Sequence, residues 1–164
     1  MISDYRLIES AKSGYWLSPE LNIITDLNMF DEMLGRLHLT VDDDTRRQLL
    51  KKAVELYKSG PVEIYSRELW FLPTVAHYSL RYAGAVNQLM EMMDQSGDYI
   101  SILEYANSAR KNLPGNPDVL YGLVWAMRKL GMGELARNEL RAARGILTEE
   151  DYADLMKRLE LTAQ

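Results

Sequence analysis

The second half of the chain carries one pattern of apolar residues twice. From Ala83 onwards, apolar residues recur every three or four positions, which places them on one face of an α-helix. The second copy starts at Pro117, thirty-four residues after the start of the first. This spacing predicts two copies of a helix–turn–helix unit. The positions that coincide are Leu89 with Leu123, Met93 with Met127, Gly97 with Gly131, Ile102 with Ala136 and Ala109 with Ala143.

A period of thirty-four residues is typical of tetratricopeptide (TPR) repeats, in which each unit is a pair of helices. The glycine of each copy breaks the chain between the two helices, and small residues on the second helix let the first approach. Leu113-Pro114 closes the first copy where such a repeat normally ends, whereas Leu147-Thr148 closes the second copy without a proline. We therefore expect a stack of helix pairs with the first helix of each pair on its concave side.

The helical period extends to both sides of this repeat. Two apolar faces before residue 60 predict an antiparallel helix pair, with Asp26 and Thr40 as N-caps. A long helix is expected over 73–95, and Asn116 and Thr148 are expected to cap later helices. The prediction is an all-α, TPR-like α-α superhelix of about seven helices, closed at its C-terminus by a helix with a polar outer face.

Residues 1–25 do not follow the helical period. Two short β-prone runs, 5–9 and 15–17, flank a turn at 11–14, and residues 21–25 are a candidate third strand. Because a lone hairpin is marginal in water, these strands either pack on the helices or belong to a neighbouring domain. We divide the chain into 1–25, a β-hairpin and linker, and 26–164, the TPR-like helical domain.

Composition narrows the class of protein. The chain has 164 residues, a mass of 18.9 kDa and a net charge of −5, which argues against a mainly nucleic-acid-binding surface. The absence of cysteine excludes disulfide frameworks, zinc ribbons and thiol nucleophiles. No apolar run reaches the ~20 residues of a membrane span, so we expect no membrane contact and a cytoplasmic location.

No set of residues points to catalysis. The two histidines, His38 and His77, have no carboxylate at the spacing of a metal site. The glycines of 131–133 join two helices and lack the preceding strand of a phosphate-binding loop. The acidic run 42–44 fits the first turn of a helix, where carboxylates complement the helix dipole, better than a calcium loop. We expect a protein that is not an enzyme and that holds no cofactor or metal.

Aromatic residues are the first candidates for partner binding. Those from Trp70 to Tyr82 are either core residues or the lining of a small-ligand groove. Aromatic anchors often dominate protein–protein contacts. From their helix positions, five residues are expected to face a partner on the concave side: Tyr78, Tyr82, Asn87, Tyr121 and Trp125.

Three arginines form the second set of candidate residues for partner binding. Arg137, Arg141 and Arg144 are spaced four and three residues apart, so they share one face of a helix. They form either a solvated face paired with Glu134 and Glu139, or a dock for an acidic partner or a phosphate backbone.

Five segments occur in a distinctive order: GYWL at 14–17, DLNMF at 26–30, LKKAVELYKSG at 50–60, ELW at 68–70 and GDY at 97–99. In order and spacing they resemble the bacterial transcriptional activator domain of SARP-type regulators. The resemblance covers roughly residues 14–147, and the Gly-Pro-Val of 60–62 matches the usual connector of that family. The lysine and serine before Gly60 depart from the family, where an arginine is common.

The resemblance implies a TPR-like domain that follows a winged-helix DNA-binding domain and regulates transcription. Residues 2–25 would then be the last hairpin of the winged helix and its linker, and DNA would be read only by a helix upstream of Met1. The implied partners are proteins: a second copy in a homodimer, RNA polymerase, or the other domains of the same regulator.

Two alternatives stay open. A stand-alone TPR adaptor would bind peptides with no link to transcription, and a small-ligand sensor or enzyme would use the aromatics from Trp70 to Tyr82 as a pocket. A winged-helix sequence directly before Met1 would favour the regulator over the adaptor. Thermal-shift screening with metabolites would test the sensor, since a ligand that binds only the folded state raises its melting temperature.

Overall fold

The computed structural model describes residues 8–18, 21–22, 24–58 and 68–161 of the chain. Within them, strands β1 (Ile8–Ala11) and β2 (Gly14–Leu17) form an antiparallel hairpin with Ile8 opposite Leu17. Seven helices follow, so the predicted all-α fold with a small N-terminal hairpin is confirmed. They are α1 (Asp26–Leu37), α2 (Asp43–Leu56), α3 (Leu72–Gln95), α4 (Tyr99–Ala109), α5 (Pro117–Lys129), α6 (Gly133–Ala143) and α7 (Glu149–Leu161).

The segment between the hairpin and α1 differs from its prediction. Residues 21, 22, 24 and 25 are not in a strand, so the candidate third strand is wrong for the part of it that the structure describes. Leu21 closes a turn instead, because its N–H donates to the carbonyl of Ser18 at 3.1 Å. Residues 5–7 and Ile23, which were also predicted to be in strands, lie outside the described residues. The division into two domains at residue 25 stays a prediction.

Polar side chains fix the helix starts, and two of the caps lie one and two residues away from their predicted positions. The side chain of Asn116 accepts the N–H of Val119, as predicted, and Thr148 accepts that of Asp151. Thr25, not Asp26, caps α1, because Thr25 and Asn28 form a reciprocal capping box. Asp42, not Thr40, caps α2, since the Thr40 hydroxyl donates to the carbonyl of Arg36 in the previous helix.

The thirty-four-residue repeat appears in the backbone itself. Gly97 and Gly131 both adopt positive φ, +71° and +77°, a conformation that costs a glycine little. The N–H of Asp98 donates to the carbonyl of Met93 at 2.9 Å, and that of Met132 to Met127 at 2.8 Å. These are the long hydrogen bonds of a Schellman motif, thirty-four residues apart. Of the ten residues paired by the sequence repeat, the two glycines end the first helix of each unit. The other eight are buried in both copies.

The helices pack as a stack of pairs. Each of α1 to α5 packs on the next helix in sequence, α3 also contacts α5, and α5 contacts α7. Hydrogen bonds also join α3 to α1, because the hydroxyl of Tyr78 and the guanidinium of Arg81 in α3 both bind the Asp31 carboxylate of α1. The first helices α1, α3, α5 and α7 therefore form one layer, and α2, α4 and α6 form the other.

Two kinds of side chain fill the core. Between α1, α2 and α3, the rings of Phe30, Tyr57 and Tyr82 form an aromatic cluster, with centroids 5.2 Å apart for Phe30–Tyr57 and 4.8 Å for Tyr57–Tyr82. Among α4, α5 and α6, small side chains are buried, and we call this the alanine-rich interface: Ala106, Ala109, Ala126, Ala136 and Ala143. None of the described helices is both long and apolar enough to span a bilayer.

Candidate partner-binding site

A groove runs along the exposed side of α3. Three hollows line it, with volumes of about 230, 240 and 180 Å³. The first two share Arg46 of α2 and Gln88 of α3, and the second and third share Glu91, so neighbouring hollows border on common residues. We call this row of three hollows the inner groove. Its α3 wall consists of residues spaced four, three and four apart, the spacing of one helix face: Gly84, Gln88, Glu91 and Gln95.

The 180 Å³ hollow lies where three first helices meet, and we call it the Trp125 hollow. Residues of α3, α4, α5 and α7 all contribute to it. Its apolar part consists of side chains that are also core residues, so it is fixed by the packing of the stack. Its lining is Asn87, Met90, Glu91, Asp94, Ile102, Tyr121, Gly122, Trp125 and Arg158.

Hydrogen bonding and ring stacking hold Trp125 in place. Its indole Nε1–H donates to Oδ1 of Asp94 at 2.8 Å, which joins α5 to α3. The ring stacks on Tyr121, one turn earlier, with planes 12° apart and centroids at 6.3 Å. Lys129 Nζ lies 4.3 Å from the Trp125 ring centroid, a cation–π distance. With these contacts the indole is a rigid wall of the hollow.

Arg158 brings α7 to the hollow. Its Nη1 donates to Asp118 at 2.8 Å, and its guanidinium carbon lies 4.3 Å from the Tyr121 ring centroid. Arg128 makes a second link, because its Nη1 donates to the carbonyl of Leu159 at 3.0 Å. The C-terminal helix therefore closes one side of the hollow, in addition to covering the end of the stack.

Gly122 lets Met90 pack directly against the backbone of α5 at the floor of the hollow. A Cβ at this position would lie 2.5 Å from Sδ and 3.0 Å from Cε of Met90, closer than such atoms approach. The glycine therefore permits the close approach of α5 to α3, and any larger residue would have to displace the Met90 thioether. The floor consists of Gly122, Met90 and Ile102, all of them buried.

Three of the five residues predicted on the concave side come together. Asn87, Tyr121 and Trp125 all line the Trp125 hollow, the first from α3 and the other two from α5. The prediction is wrong for Tyr82, whose side chain is 0% exposed and packs on Tyr57 inside the aromatic cluster. Tyr78 is half-buried, and its hydroxyl is bound to Asp31 at 2.8 Å, so it joins α1 to α3 instead of lining the hollow.

Of the aromatic residues considered as a ligand pocket, Tyr82 is buried, Phe71 and Tyr78 are partly buried, and Trp70 is exposed. Burial raises the pKa of the Tyr82 hydroxyl to about 12, with the charge of Glu55 adding to the effect, and burial also raises the pKa of Tyr57. Neither hydroxyl makes a well-formed hydrogen bond, although Asn112 lies near Tyr82 and Ser79 near Tyr57. Around Tyr57 and Tyr82 the described residues thus form packed interior.

The arginines Arg137, Arg141 and Arg144 are exposed on α6, in the outer layer. None of the three hollows includes a residue of α6. Of the two partners predicted for them, Glu134 lies 3.9 Å from Arg137, while Glu139 pairs instead with Arg110 of α4 at 2.7 Å. The three arginines and the Trp125 hollow are therefore separate candidate surfaces.

Sequence reasoning missed six residues of the hollow: Met90, Glu91, Asp94, Ile102, Gly122 and Arg158. The repeat contains a signal for one of them, Glu91. Asn87 aligns with Tyr121 and Glu91 with Trp125 at the same thirty-four-residue offset. All four residues line the Trp125 hollow, so choosing Tyr121 and Trp125 as concave residues already selects Glu91. No comparable signal identifies Arg158, because α7 has no aligned partner in the repeat.

Comparison with protein-family models, with curated proteins and with solved structures finds no match to the chain. The resemblance to bacterial transcriptional activator domains therefore stands on the sequence segments alone. A function is argued below from the geometry of the inner groove.

Proposed function

We propose that this chain is a protein–protein interaction domain that binds its partner non-covalently in the inner groove. The observation that carries the proposal is the row of three hollows along the exposed face of α3, in which neighbours share lining residues. A row of hollows suits an extended chain segment, whereas an enzyme active site is usually one enclosed pocket with converging reactive groups. Stacked helix pairs with concave inner surfaces commonly use that surface for binding.

We further propose that the partner belongs to transcription, and that the domain is the regulatory part of a bacterial transcriptional activator. This step is supported by the resemblance of residues 14–147 to that domain, in the order and spacing of five segments. Its action would be self-association, contact with RNA polymerase, or control of other domains of the same regulator. A stand-alone TPR adaptor is the second candidate, because the inner groove would serve a peptide-binding adaptor equally well.

A matched pair of arginine substitutions tests the groove. Gln88 is exposed on α3 and lines two hollows, while Asn107 is exposed on α4 in the outer layer. Self-association would be measured by sedimentation velocity, and binding to purified bacterial RNA polymerase by biolayer interferometry. We expect at least one of these interactions in the unaltered protein, weakened by Gln88→Arg and unchanged by Asn107→Arg.

Two results would count against the proposal. One is an unaltered protein that remains monomeric at all concentrations and binds no polymerase. The other is an interaction that Gln88→Arg and Asn107→Arg weaken equally. Reading the gene upstream of Met1 separates the two candidates, because an activator requires a winged-helix sequence there and an adaptor does not.

A further inference from the structure

We propose that the Trp125 hollow binds a lysine or arginine side chain from an extended segment of a partner protein. The proposal rests on the interaction function above and specifies the chemistry of the partner. It is argued from three properties of the hollow: an apolar floor, two carboxylates at its edge, and the balance of charges around it.

The floor offers room and apolar contact. The hollow has a volume of about 180 Å³. A cavity of about 150 Å³ is enough to admit benzene, so one long side chain fits. The side chains of Met90 and Ile102, which are 5% and 1% exposed, form this floor, and Met90 packs where Gly122 has no side chain. Lysine and arginine bury their methylene stems against surfaces of this kind while their charged heads stay near water.

Two carboxylates lie at the edge of this floor. Glu91 and Asp94 are one turn apart on α3, and both are exposed. Glu91 accepts a hydrogen bond from Asn87 Nδ2 at 3.2 Å, and Asp94 accepts one from the Trp125 indole at 2.8 Å. Each carboxylate has a second oxygen beyond the one so used. Within the part of the chain that the structure describes, neither forms an ion pair.

The surrounding charges favour a cation. Arg158 and Lys129 are the cations beside the hollow, and Arg158 is already paired with Asp118 at 2.8 Å. Among the residues that line the hollow, the carboxylates of Glu91 and Asp94 against the guanidinium of Arg158 leave one net negative charge, in a chain whose net charge is −5. An acidic guest would be repelled, and an apolar guest would desolvate Glu91 and Asp94 without giving them a partner. A basic side chain contacts the apolar floor through its methylene stem and pairs with the carboxylates at the edge through its charged head.

The hollow also extends beyond a single side chain. Glu91 lines the neighbouring 240 Å³ hollow as well, together with Gln88 and Gln95. These side-chain amides donate and accept hydrogen bonds, as an extended peptide backbone requires. The occupant is therefore a segment of polypeptide, with a basic residue as its anchor.

Four synthetic nonapeptides with identical glycine-serine flanks test the preference directly. Their central residues are arginine, lysine, leucine and glutamate. Binding would be followed through the indole N–H resonance of Trp125 in ¹H–¹⁵N NMR spectra, assigned with Trp125→Phe. We expect saturable shifts with the arginine and lysine peptides that weaken as salt is raised, because exposed ion pairs are screened. The leucine and glutamate peptides should bind more weakly or not at all.

Variants of the protein test whether the basic peptides bind in the Trp125 hollow. Glu91→Gln should weaken the arginine peptide about two- to fivefold, the range of a partly exposed ion pair, and adding Asp94→Asn should weaken it further. Gly122→Ala should reduce binding because its methyl group must displace the Met90 thioether at the floor of the hollow. Glu104→Gln on outer helix α4 and Gly35→Ala on α1 are the matched controls and should bind normally. If Gly122→Ala fails to fold, the carboxylate variants still decide.

Several outcomes would overturn the proposal. Equal binding of the leucine peptide, or preferred binding of the glutamate peptide, would refute the cation preference while leaving the groove as an interaction surface. Absence of any shift at Trp125 would refute the hollow as a site, and the Gln88→Arg experiment would then decide separately whether the groove interacts. If a peptide of residues 133–145 binds more tightly than the arginine and lysine peptides, and the protein self-associates, the occupant is a second copy of this chain instead.

Discussion

The two ends of the helical stack are packed in opposite ways. In the aromatic cluster, Phe30, Tyr57 and Tyr82 fill the space between helices with large rings. In the alanine-rich interface, buried alanines such as Ala106 and Ala136 let the helices approach closely. Large rings fill the space between helices, whereas small residues let neighbouring groups approach the backbone closely, as Met90 does at Gly122. The Trp125 hollow lies towards this second end, lined by residues of α3, α4, α5 and α7.

The largest effect is expected in the aromatic cluster. Phe30 is 0% exposed, and Phe30→Ala should lower the free energy of unfolding by about 3–5 kcal/mol, through lost burial and the cavity left behind. Met29→Ala, at the neighbouring and more exposed position, is the control and should cost far less. Urea denaturation of both variants measures the difference. If the two variants lose similar amounts of unfolding free energy, the aromatic cluster is not the packed core between α1, α2 and α3.

The alanine-rich interface should resist enlargement. Ala106 lies on α4, which packs against both α3 and α5, and Ala106→Leu should cost about 1–3 kcal/mol because the inserted atoms force the helices apart. Asn107→Leu adds the same side chain at the adjacent exposed position and should be nearly neutral. The same denaturation experiment checks both. A stabilising Ala106→Leu would show that this interface contains unfilled space.

Alkaline pH should distinguish the two ends as well. The pKa of Tyr82 is raised from 10.0 to about 12, because burial disfavours its phenolate. Below pH 10 the hydroxyl is protonated in both states. As the pH rises from 10 towards 12, only the unfolded state ionises readily, so stability should fall by up to about 2 kcal/mol. Melting temperatures across this range would show the loss. Tyr82→Phe should make the decline in stability shallower, and the part that remains would come from Tyr57. A decline that is unchanged in this variant would rule out Tyr82 as its source.

The smallest change in stability is expected at the floor of the hollow. Gly122→Ala gains up to about 1 kcal/mol in helix propensity but must displace the Met90 thioether, so the net change should lie within about 1 kcal/mol. Gly35→Ala meets nothing within 4 Å and should stabilise α1 by about 0.5–1 kcal/mol. Thermal unfolding of the two variants compares them. If Gly122→Ala stabilises as much as Gly35→Ala, Met90 has free room to move and the floor is less tightly packed than described.

Much of the candidate site follows from the repeat in the sequence. The thirty-four-residue offset aligns Asn87 with Tyr121, and both line the hollow. Helix spacing alone did not separate Tyr82 from these residues, because a helix that is apolar over most of its surface does not show which side its neighbours cover. The N-caps of α1 and α2 lie one and two residues away from their predicted positions for a similar reason. Thr25 and Asp26 can each cap a helix, and the choice depends on the reciprocal bond that Asn28 makes.

By itself, the amino-acid sequence determined the helix pairs, their order and their period, since these follow from local spacing of apolar, small and turn-forming residues. Only the tertiary structure decided which polar residues meet. Asp94 binds Trp125 across thirty-one positions, and Arg158 binds Asp118 across forty. Such contacts depend on the angle and distance between helices, which many packed side chains set together. For this reason the sequence predicts the repeat, and the packing of α3, α5 and α7 creates the hollow.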